Sequence, residues 1–229
     1  DSGSFGAMKA MIEKTVAALP QVMKVAVLAG ALLYVAMFIG LACLRMSYPH
    51  ELEWMEGGTI QHVQRVIDGQ QLYVEPTLEF TPFIYTPLYF WVAAAASKVL
   101  GLGFFALRLV AFLATMGGAA VILLFVRRET RSLYCGALGA CLYLATFPLT
   151  GGWLDISRSD PLFILLLLGC VYALRSKPGL LSAAIAGVLL ALSFLAKQTA
   201  LMVAVPLVLY TLISVRRNPR LLAFPVVFI

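Results

Sequence analysis

Two short segments of the chain concentrate the residue types that can move protons and hold phosphate groups. Glu53 and Glu56 are three residues apart, so a helix would place both carboxylates on one face. Asp155, Arg158 and Asp160 lie together further along the chain. A carboxylate can take a proton from an acceptor hydroxyl, and a guanidinium matches the geometry of a phosphate group. The two segments together predict transfer of a group from a phosphate-linked donor.

Each of these residues also has a structural interpretation, which the residues alone leave open. Glu53 and Glu56 would suit the dipole at the start of a helix. Asp160 precedes a proline and would suit a helix N-cap. Arg158 is predicted to contact a phosphate. Lys197 lies at a turn between two apolar runs, where it would either bind an anion or extend toward the lipid surface.

The elements that must position these residues are apolar helices. Hydrophobic residues make up 62% of the chain and charged residues 12%, which is far from the composition of a soluble domain. The apolar runs are continuous rather than alternating, which favours spanning helices over a barrel. We predict an all-α, polytopic transmembrane protein with spans at 25–44, 104–126, 133–149, 161–174, 180–196 and 199–215.

Basic clusters between the apolar runs predict the topology. The run at 87–100 has 14 residues, which reach about 21 Å and do not cross a hydrocarbon core of about 30 Å. If this run lies in the membrane interface, all basic clusters share one side, as the positive-inside rule requires. The clusters are Lys9, Lys14 and Lys24, then Arg127 with Arg128, then Arg175 with Lys177, then Arg216 with Arg217. This topology predicts a cytoplasmic N-terminus.

The same topology makes 45–103 one large outer loop with interfacial helices, and places Thr150–Asp160 and Lys197 outside as well. Within the loop, 54–68 is predicted to be a surface helix ended by Gly69, and 87–100 a second one with Thr86 as N-cap and Gly101 at its end. The Pro-rich aromatic stretch between them suits either a membrane-interface belt or a groove for a sugar or lipid headgroup. The predicted groove residues are Tyr85, Tyr89 and Asp155.

The remaining features define the ends of the chain and exclude some partners. Residues 1–7 resemble an added tag, 8–24 form a basic leader, and the apolar run 221–229 is predicted to begin a further helix. The net charge of +6 arises from clusters between spans, so nucleic acid is not a predicted partner. His50 and His62 are isolated and show no metal-ligand spacing, so no metal site is assigned, although a divalent metal stays compatible with the pattern.

Five motifs, taken in order and with their sidedness, resemble the GT-C superfamily of membrane glycosyltransferases. The closer likeness is to the bacterial branch related to protein O-mannosyltransferases and to the aminoarabinose transferase that acts on lipid A. The motifs are Glu51-Leu52-Glu53-Trp54-Met55-Glu56, Asp68-Gly69, Tyr85-Thr86-Pro87-Leu88-Tyr89, Arg158-Ser159-Asp160-Pro161-Leu162 and Ala196-Lys197-Gln198-Thr199-Ala200.

The resemblance implies a polyprenyl-phosphate-linked sugar donor and an inverting transfer on the outer leaflet of a bacterial inner membrane. Residues 25–229 would then be the N-terminal part of the transmembrane catalytic domain. The family's catalytic Asp-Glu pair falls on Met55-Glu56, so Glu56 is the first candidate for the general base and Glu53 the second. The family's second outer aspartate falls on Asp160, which the resemblance implies is a third catalytic residue that assists the base.

One position departs from the family pattern. Some relatives carry a phosphate-binding lysine before the proline of the aromatic-proline motif, and here that residue is Thr86. Arg158 and Lys197 are therefore the candidates for binding the donor phosphate. Two other functions remain open: a transporter or flippase of a lipid-linked sugar, and a non-catalytic membrane scaffold. A transporter predicts charges in mid-span and broken helices, whereas here Arg108 lies near the outer end of its span.

Overall fold

Helices make up all of the regular structure in the part of the chain that is described. The computed structural model describes the backbone of residues 2–176, 179–215 and 219–228, and the side chains of 19–175, 179–214 and 221–228. The elements are α1 (Ser2–Met46), α2 (Met55–Ile67), α3 (Leu88–Leu100), α4 (Phe104–Thr130), α5 (Leu133–Ala145), α6 (Asp160–Ser176), α7 (Leu180–Ala196), α8 (Ala200–Val215), a 3-10 turn (Pro219–Leu222) and α9 (Ala223–Phe228). The all-α prediction is confirmed.

Within the described residues, two helical segments are long and apolar enough to cross a membrane. They are Leu19–Met46, with 28 residues, and Phe104–Thr130, with 27. Helices α6, α7 and α8 have 17, 17 and 16 residues, which reach about 24–26 Å. The further spans, and the interfacial placement of α2 and α3, stay predictions.

Helix α1 continues without a break through the region predicted to be a separate leader. The predicted first span, 25–44, lies within it, and Pro20 is inside the helix. The side chains of Lys9 and Lys14, and the residues Lys177, Arg216 and Arg217, lie outside the described part of the chain.

Helix α4 is the centre of the bundle. It packs against α5 and α6 and also contacts α1, α2 and α3. Small residues allow the close approach to α5, because a Cβ added at Gly136 would lie 2.7 Å from the carbonyl oxygen of Leu123. Three clusters of buried residues surround this helix pair: one between the outer-loop helices and α4, one among α1, α4 and α5, and one among α6 to α9.

Contacts between helix ends sort as the charge pattern predicts. At one end, the segments predicted to lie outside meet one another, and at the other end the predicted inner segments do. The outer contacts are Arg45–Asp155, Asp160–Lys197, Thr86–Phe194 and Ile84–Gln198; the inner ones are Lys24–Tyr134 and Glu129–Arg175. The orientation of this bundle relative to a membrane stays a prediction.

The local helix signals were right at the ends of α2 and α3 and wrong at one start. Gly69 and Gly101 follow these helices with φ of 68° and 86°, which glycine adopts without strain. Thr86 is not the N-cap of α3. Pro87 occupies that position, and the Thr86 hydroxyl donates a 2.8 Å hydrogen bond to the carbonyl oxygen of Phe194 at the end of α7. The Thr86 hydroxyl therefore bonds to a distant helix and not to the first turn of α3.

Two predicted spans also change at their ends. Helix α5 stops at Ala145, and 146–150 form turns where the span was predicted to continue to 149. Helix α6 already includes Asp160, whose carboxylate oxygens pair with two cations instead of marking a residue before the helix. The loop between α5 and α6 contacts the start of α2 through Ser157 and Glu56.

Candidate functional site

Four charged side chains of alternating sign form a continuous row at the predicted outer end of the bundle. Glu53 Oε1 lies 3.2 Å from Arg158 Nη1, Arg158 Nε donates a 3.2 Å hydrogen bond to Asp160 Oδ2, and Lys197 Nζ lies 2.5 Å from Asp160 Oδ1. We call this row the ion chain. None of its side chains is more than 18% exposed, so water screens these charges only partly.

Three separate segments of the chain supply the ion chain. Glu53 precedes α2, Arg158 and Asp160 lie where the loop before α6 joins that helix, and Lys197 follows α7. The fold therefore has to bring these three segments together before the row exists.

Both cations of the ion chain also rest on aromatic rings. The guanidinium carbon of Arg158 lies 4.1 Å from the ring centre of Trp153, and Lys197 Nζ lies 5.5 Å from that of Tyr85. A ring face attracts a cation without neutralising it. Arg158 and Lys197 consequently keep part of their support when a carboxylate moves away.

Glu56 has a different environment, although it lies one helical turn from Glu53. Its side chain is fully buried. Its Oε1 accepts hydrogen bonds from Arg108 Nε at 2.9 Å and from the backbone N–H of Ser157 at 2.9 Å. Its Oε2 accepts from Arg108 Nη2 at 2.7 Å and from the backbone N–H of Leu52 at 2.8 Å. Burial raises the pKa of Glu56, but these donors outweigh burial and hold the pKa below its usual value.

Arg108 is the partner that sequence reasoning missed. It lies near the start of α4, is fully buried, and also donates hydrogen bonds to the carbonyl oxygens of Arg45, Tyr48 and His50 at 2.7, 2.7 and 2.8 Å. The Glu56–Arg108 pair therefore joins the end of α1, the start of α2, helix α4 and the loop before α6. The signal was a lone arginine within an apolar run, because such a residue needs a partner.

A small cavity adjoins the ion chain on the side of α3. It is lined by residues of α2, α3 and the loop before α6: Met55, Thr59, Tyr85, Tyr89, Phe90, Ser157, Arg158, Ser159 and Asp160. Two of the three predicted groove residues, Tyr85 and Tyr89, thus border the predicted catalytic and phosphate-binding residues. Tyr89 is held in place, since its hydroxyl donates a 3.1 Å hydrogen bond to the carbonyl oxygen of Leu107.

A family model decides the class of protein. The model for dolichyl-phosphate-mannose-protein mannosyltransferase matches residues 82–229, which is more than half of the chain. The chain belongs to this family. No curated protein and no solved structure matches it.

Membership in the mannosyltransferase family makes the protein a membrane glycosyltransferase of the class that uses a polyprenyl-phosphate-linked sugar. The matched region contains Tyr85, Arg158, Asp160 and Lys197 but begins after the acidic segment of the outer loop. The family match thus covers both cations of the ion chain. The roles of the acidic residues before position 82 have to be argued from their geometry.

Asp155, the third predicted groove residue, lies apart from the cavity in this mannosyltransferase-family chain. It is buried and forms a 3.2 Å ion pair with Arg45 at the end of α1. Burial raises the pKa of Asp155, and the nearby Arg45 opposes that shift. This ion pair holds the loop before α6 against the end of α1, so Asp155 stabilises the loop that carries Arg158.

The two histidines form structural contacts in the segments around α2. His62 is fully buried, its Nδ1 lies 2.6 Å from the carbonyl oxygen of Gly58, and its Nε2 accepts a 2.8 Å hydrogen bond from the backbone N–H of Phe83. It therefore holds the aromatic stretch against α2 as a neutral ring, stacked on Phe83 and Phe90. Burial lowers the pKa of His62. His50 contributes its carbonyl oxygen to Arg108.

The part of the chain that is described contains no group of three or more His, Cys, Asp or Glu side chains that could hold a metal ion. The two carboxylates of the ion chain are instead each paired with a cation.

Proposed function

We propose that the protein transfers a sugar from a polyprenyl-phosphate donor to an acceptor hydroxyl at the outer face of a bacterial inner membrane, with a GT-C-type arrangement. The observation that carries this proposal is the ion chain, which brings two carboxylates and two supported cations together beside an aromatic cavity. Family membership supports the donor class. The resemblance to the protein O-mannosyltransferase and aminoarabinose transferase branch supports the outer face.

Arg158 and Lys197 are proposed to bind the phosphate of the donor. Both are cations with little exposure, both contact aromatic rings, and Arg158 also lines the cavity. As the bond between the sugar and the phosphate oxygen breaks, its electron pair passes to that oxygen, and the two cations stabilise the added charge. The cavity is too small to hold a sugar as it stands, so the partly exposed Tyr85 is proposed to contact the sugar, while the buried Tyr89 supports the cavity wall.

Glu53 is proposed as the general base, in preference to Glu56. Glu53 Oε2 accepts a 3.1 Å hydrogen bond from the backbone N–H of Met55, and Oε1 has Arg158 as its charged partner. The hydrogen bond to Oε2 holds the carboxylate in place, and Oε1 can then take the proton of an acceptor hydroxyl. Each oxygen of Glu56, in contrast, already accepts two hydrogen bonds. Glu56 is therefore proposed to hold the site together with Arg108.

Asp160 is proposed to set the positions of the two cations, since one of its oxygens contacts Arg158 and the other contacts Lys197. A transporter is disfavoured by the same geometry. Arg108, the charge buried at the outer end of α4, is fixed by hydrogen bonds to one side chain and three carbonyl oxygens. It could not move with a substrate without breaking them.

The experiment is a donor-turnover assay on the membrane-embedded protein, with a labelled polyprenyl-phosphate sugar and separation of the released polyprenyl phosphate. Glu53→Gln should reduce turnover by a factor of roughly 100 or more, as expected for loss of a general base. The control is Glu79→Gln, because Glu79 is an exposed carboxylate of the same loop and should leave turnover unchanged. Full activity of Glu53→Gln would refute the assignment of the base.

A further inference from the structure

The ion chain leaves each cation in contact with a carboxylate. Arg158 contacts Glu53 through Nη1 and Asp160 through Nε, while Lys197 contacts Asp160. Two carboxylates and two cations have a formal charge of zero. A phosphate arriving at Arg158 and Lys197 therefore meets cations whose charge is already balanced.

Adding a phosphate to this row creates an excess of negative charge. The sugar-linked donor is a phosphodiester with a single negative charge, and the polyprenyl phosphate released from it is a monoester with about −1.5 to −2 charges at pH 7. The ion chain is at most 18% exposed, so solvent screens the excess poorly, and like charges at short range disfavour the ionised form of a carboxylate. The excess negative charge raises the proton affinity of the carboxylates in the row, so a carboxylate that is still ionised becomes a stronger acceptor for the proton of a hydroxyl.

The two carboxylates differ in the contacts that they keep when Arg158 and Lys197 bind a phosphate instead. Asp160 uses both oxygens on cations, one on Arg158 and one on Lys197. Glu53 uses only Oε1 on Arg158 and keeps the hydrogen bond from the backbone N–H of Met55 to Oε2. Loss of the Arg158 contact therefore leaves Glu53 in place with Oε1 unoccupied.

The cations have support of their own during such an exchange. Trp153 lies under Arg158 and Tyr85 beside Lys197, at 4.1 and 5.5 Å. An aromatic ring attracts a cation without neutralising it, so these contacts can persist while the cation binds a phosphate. The cations can thus change partner without changing position.

We propose that the donor phosphate and the two carboxylates compete for the same pair of cations, so that phosphate binding itself releases Glu53 Oε1 to act as the base. This inference rests on the proposed function and adds an order of events to it. Phosphate takes Arg158 and Lys197, Glu53 Oε1 loses its cation, and the acceptor hydroxyl then gives its proton to that oxygen. The acceptor oxygen bonds to the sugar carbon as the bond from that carbon to the phosphate oxygen breaks, with its electron pair going to the phosphate.

The test measures the reactivity of individual carboxylates by carbodiimide and amine labelling, which attacks the protonated form, followed by peptide mass spectrometry. Wild-type protein in a lipid nanodisc is labelled near pH 6 with and without a polyprenyl phosphate, and binding of that lipid is measured in the same samples. The labelling rate of Glu53 should rise roughly tenfold on binding, because a neighbouring cation is exchanged for a phosphate. Glu79, exposed in the same loop, is the internal control and should not change.

Two variants and a neutral ligand make the result specific. In Arg158→Gln, Glu53 should be labelled rapidly without any ligand and gain nothing from the polyprenyl phosphate. In Lys197→Met, the polyprenyl phosphate should bind more weakly and raise Glu53 labelling only at higher concentration. Uncharged polyprenol should leave Glu53 unchanged, and a rise with polyprenol would contradict competition by phosphate.

The possible failures separate this inference from the proposed function. Binding of the polyprenyl phosphate that depends on Lys197, with no rise at Glu53, would overturn the competition and leave the phosphate site standing. Binding that is equal in wild type, Arg158→Gln and Lys197→Met would overturn the phosphate site, and the competition with it.

Discussion

Glu56→Gln is the substitution that most sharply divides a structural role from a catalytic one. It preserves the shape of the side chain and removes its charge, leaving the buried guanidinium of Arg108 without a counter-ion. Removing one partner of a buried ion pair costs about 3–5 kcal/mol. For a chain of this size, 1 kcal/mol corresponds to about 2–4 °C, so the unfolding temperature should fall by roughly 6–20 °C.

The assay is thermal unfolding of the purified protein in lipid nanodiscs, followed by tryptophan fluorescence, together with donor turnover. Glu53→Gln is the matched control, since Arg158 keeps Asp160 as a second counter-ion when Glu53 loses its charge, and the substitution should cost only about 1 kcal/mol. Glu53→Gln should lose turnover while its unfolding temperature stays within about 2–4 °C of wild type. The two glutamates should thus separate on two different measurements.

The double variant Glu56→Met with Arg108→Met tests whether the unpaired charge of Arg108 causes the lower stability of Glu56→Gln. Removing both charges together is often close to neutral in a protein interior. Here it should recover only part of the stability, because the carbonyl oxygens of Arg45, Tyr48 and His50 still lose their donor. The reasoning is refuted if Glu56→Gln unfolds at the wild-type temperature and abolishes turnover while Glu53→Gln stays active. Glu56 would then be the base.

Three further perturbations test other parts of the structure. Lys197→Met should raise the KM for the donor at least about tenfold, as expected for a lost contact between a charged group and phosphate, and Lys197→Arg should recover part of it in the turnover assay. His62 has a lowered pKa in the folded protein, so the stability it confers is present above its unfolded pKa of about 6.5 and is lost as the pH falls below that value. The protection of the Phe83 amide against hydrogen exchange, relative to its intrinsic rate at each pH, should fall as the pH drops from 7.5 to 5.5, and His62→Gln should abolish this change in protection. Gly136→Ala places a Cβ 2.7 Å from a backbone carbonyl oxygen of α4 and should destabilise the bundle by about 1–3 kcal/mol in thermal unfolding, whereas Gly139→Ala meets only ordinary contacts at 3.4 Å and should change little.

Part of the site could be anticipated from the sequence. Arg158, Asp160 and Lys197 were assigned to one side from the positions of basic clusters, and in the structure Asp160 contacts both Arg158 and Lys197. This inference works because charge sorting between apolar helices acts over whole segments and needs no knowledge of packing. The roles of these residues stay predictions.

The choice between Glu53 and Glu56 could not be made from the sequence. Both are acidic and lie on one face of the same turn, so local reasoning treats them alike. Their environments differ because Arg108, 52 positions further along the chain, reaches only Glu56. The Thr86 cap failed for the same reason, since its partner Phe194 is 108 positions away. Side-chain partners at such separations depend on how the helices pack, which local patterns do not specify.

The Glu56–Arg108 pair also has a consequence for how the protein is made. A lone arginine in an inserting helix costs about 2.5–3.5 kcal/mol at the centre of the segment, and less near its end. Arg108 reaches the membrane after Glu56 has been synthesised, and with the predicted topology Glu56 has by then been delivered to the outer side. The outer loop can therefore fold back onto α4 as that helix enters the bilayer, and Glu56 supplies the charge that lets Arg108 stay there. With the predicted topology, assembly of the site would thus be coupled to integration of α4 into the membrane.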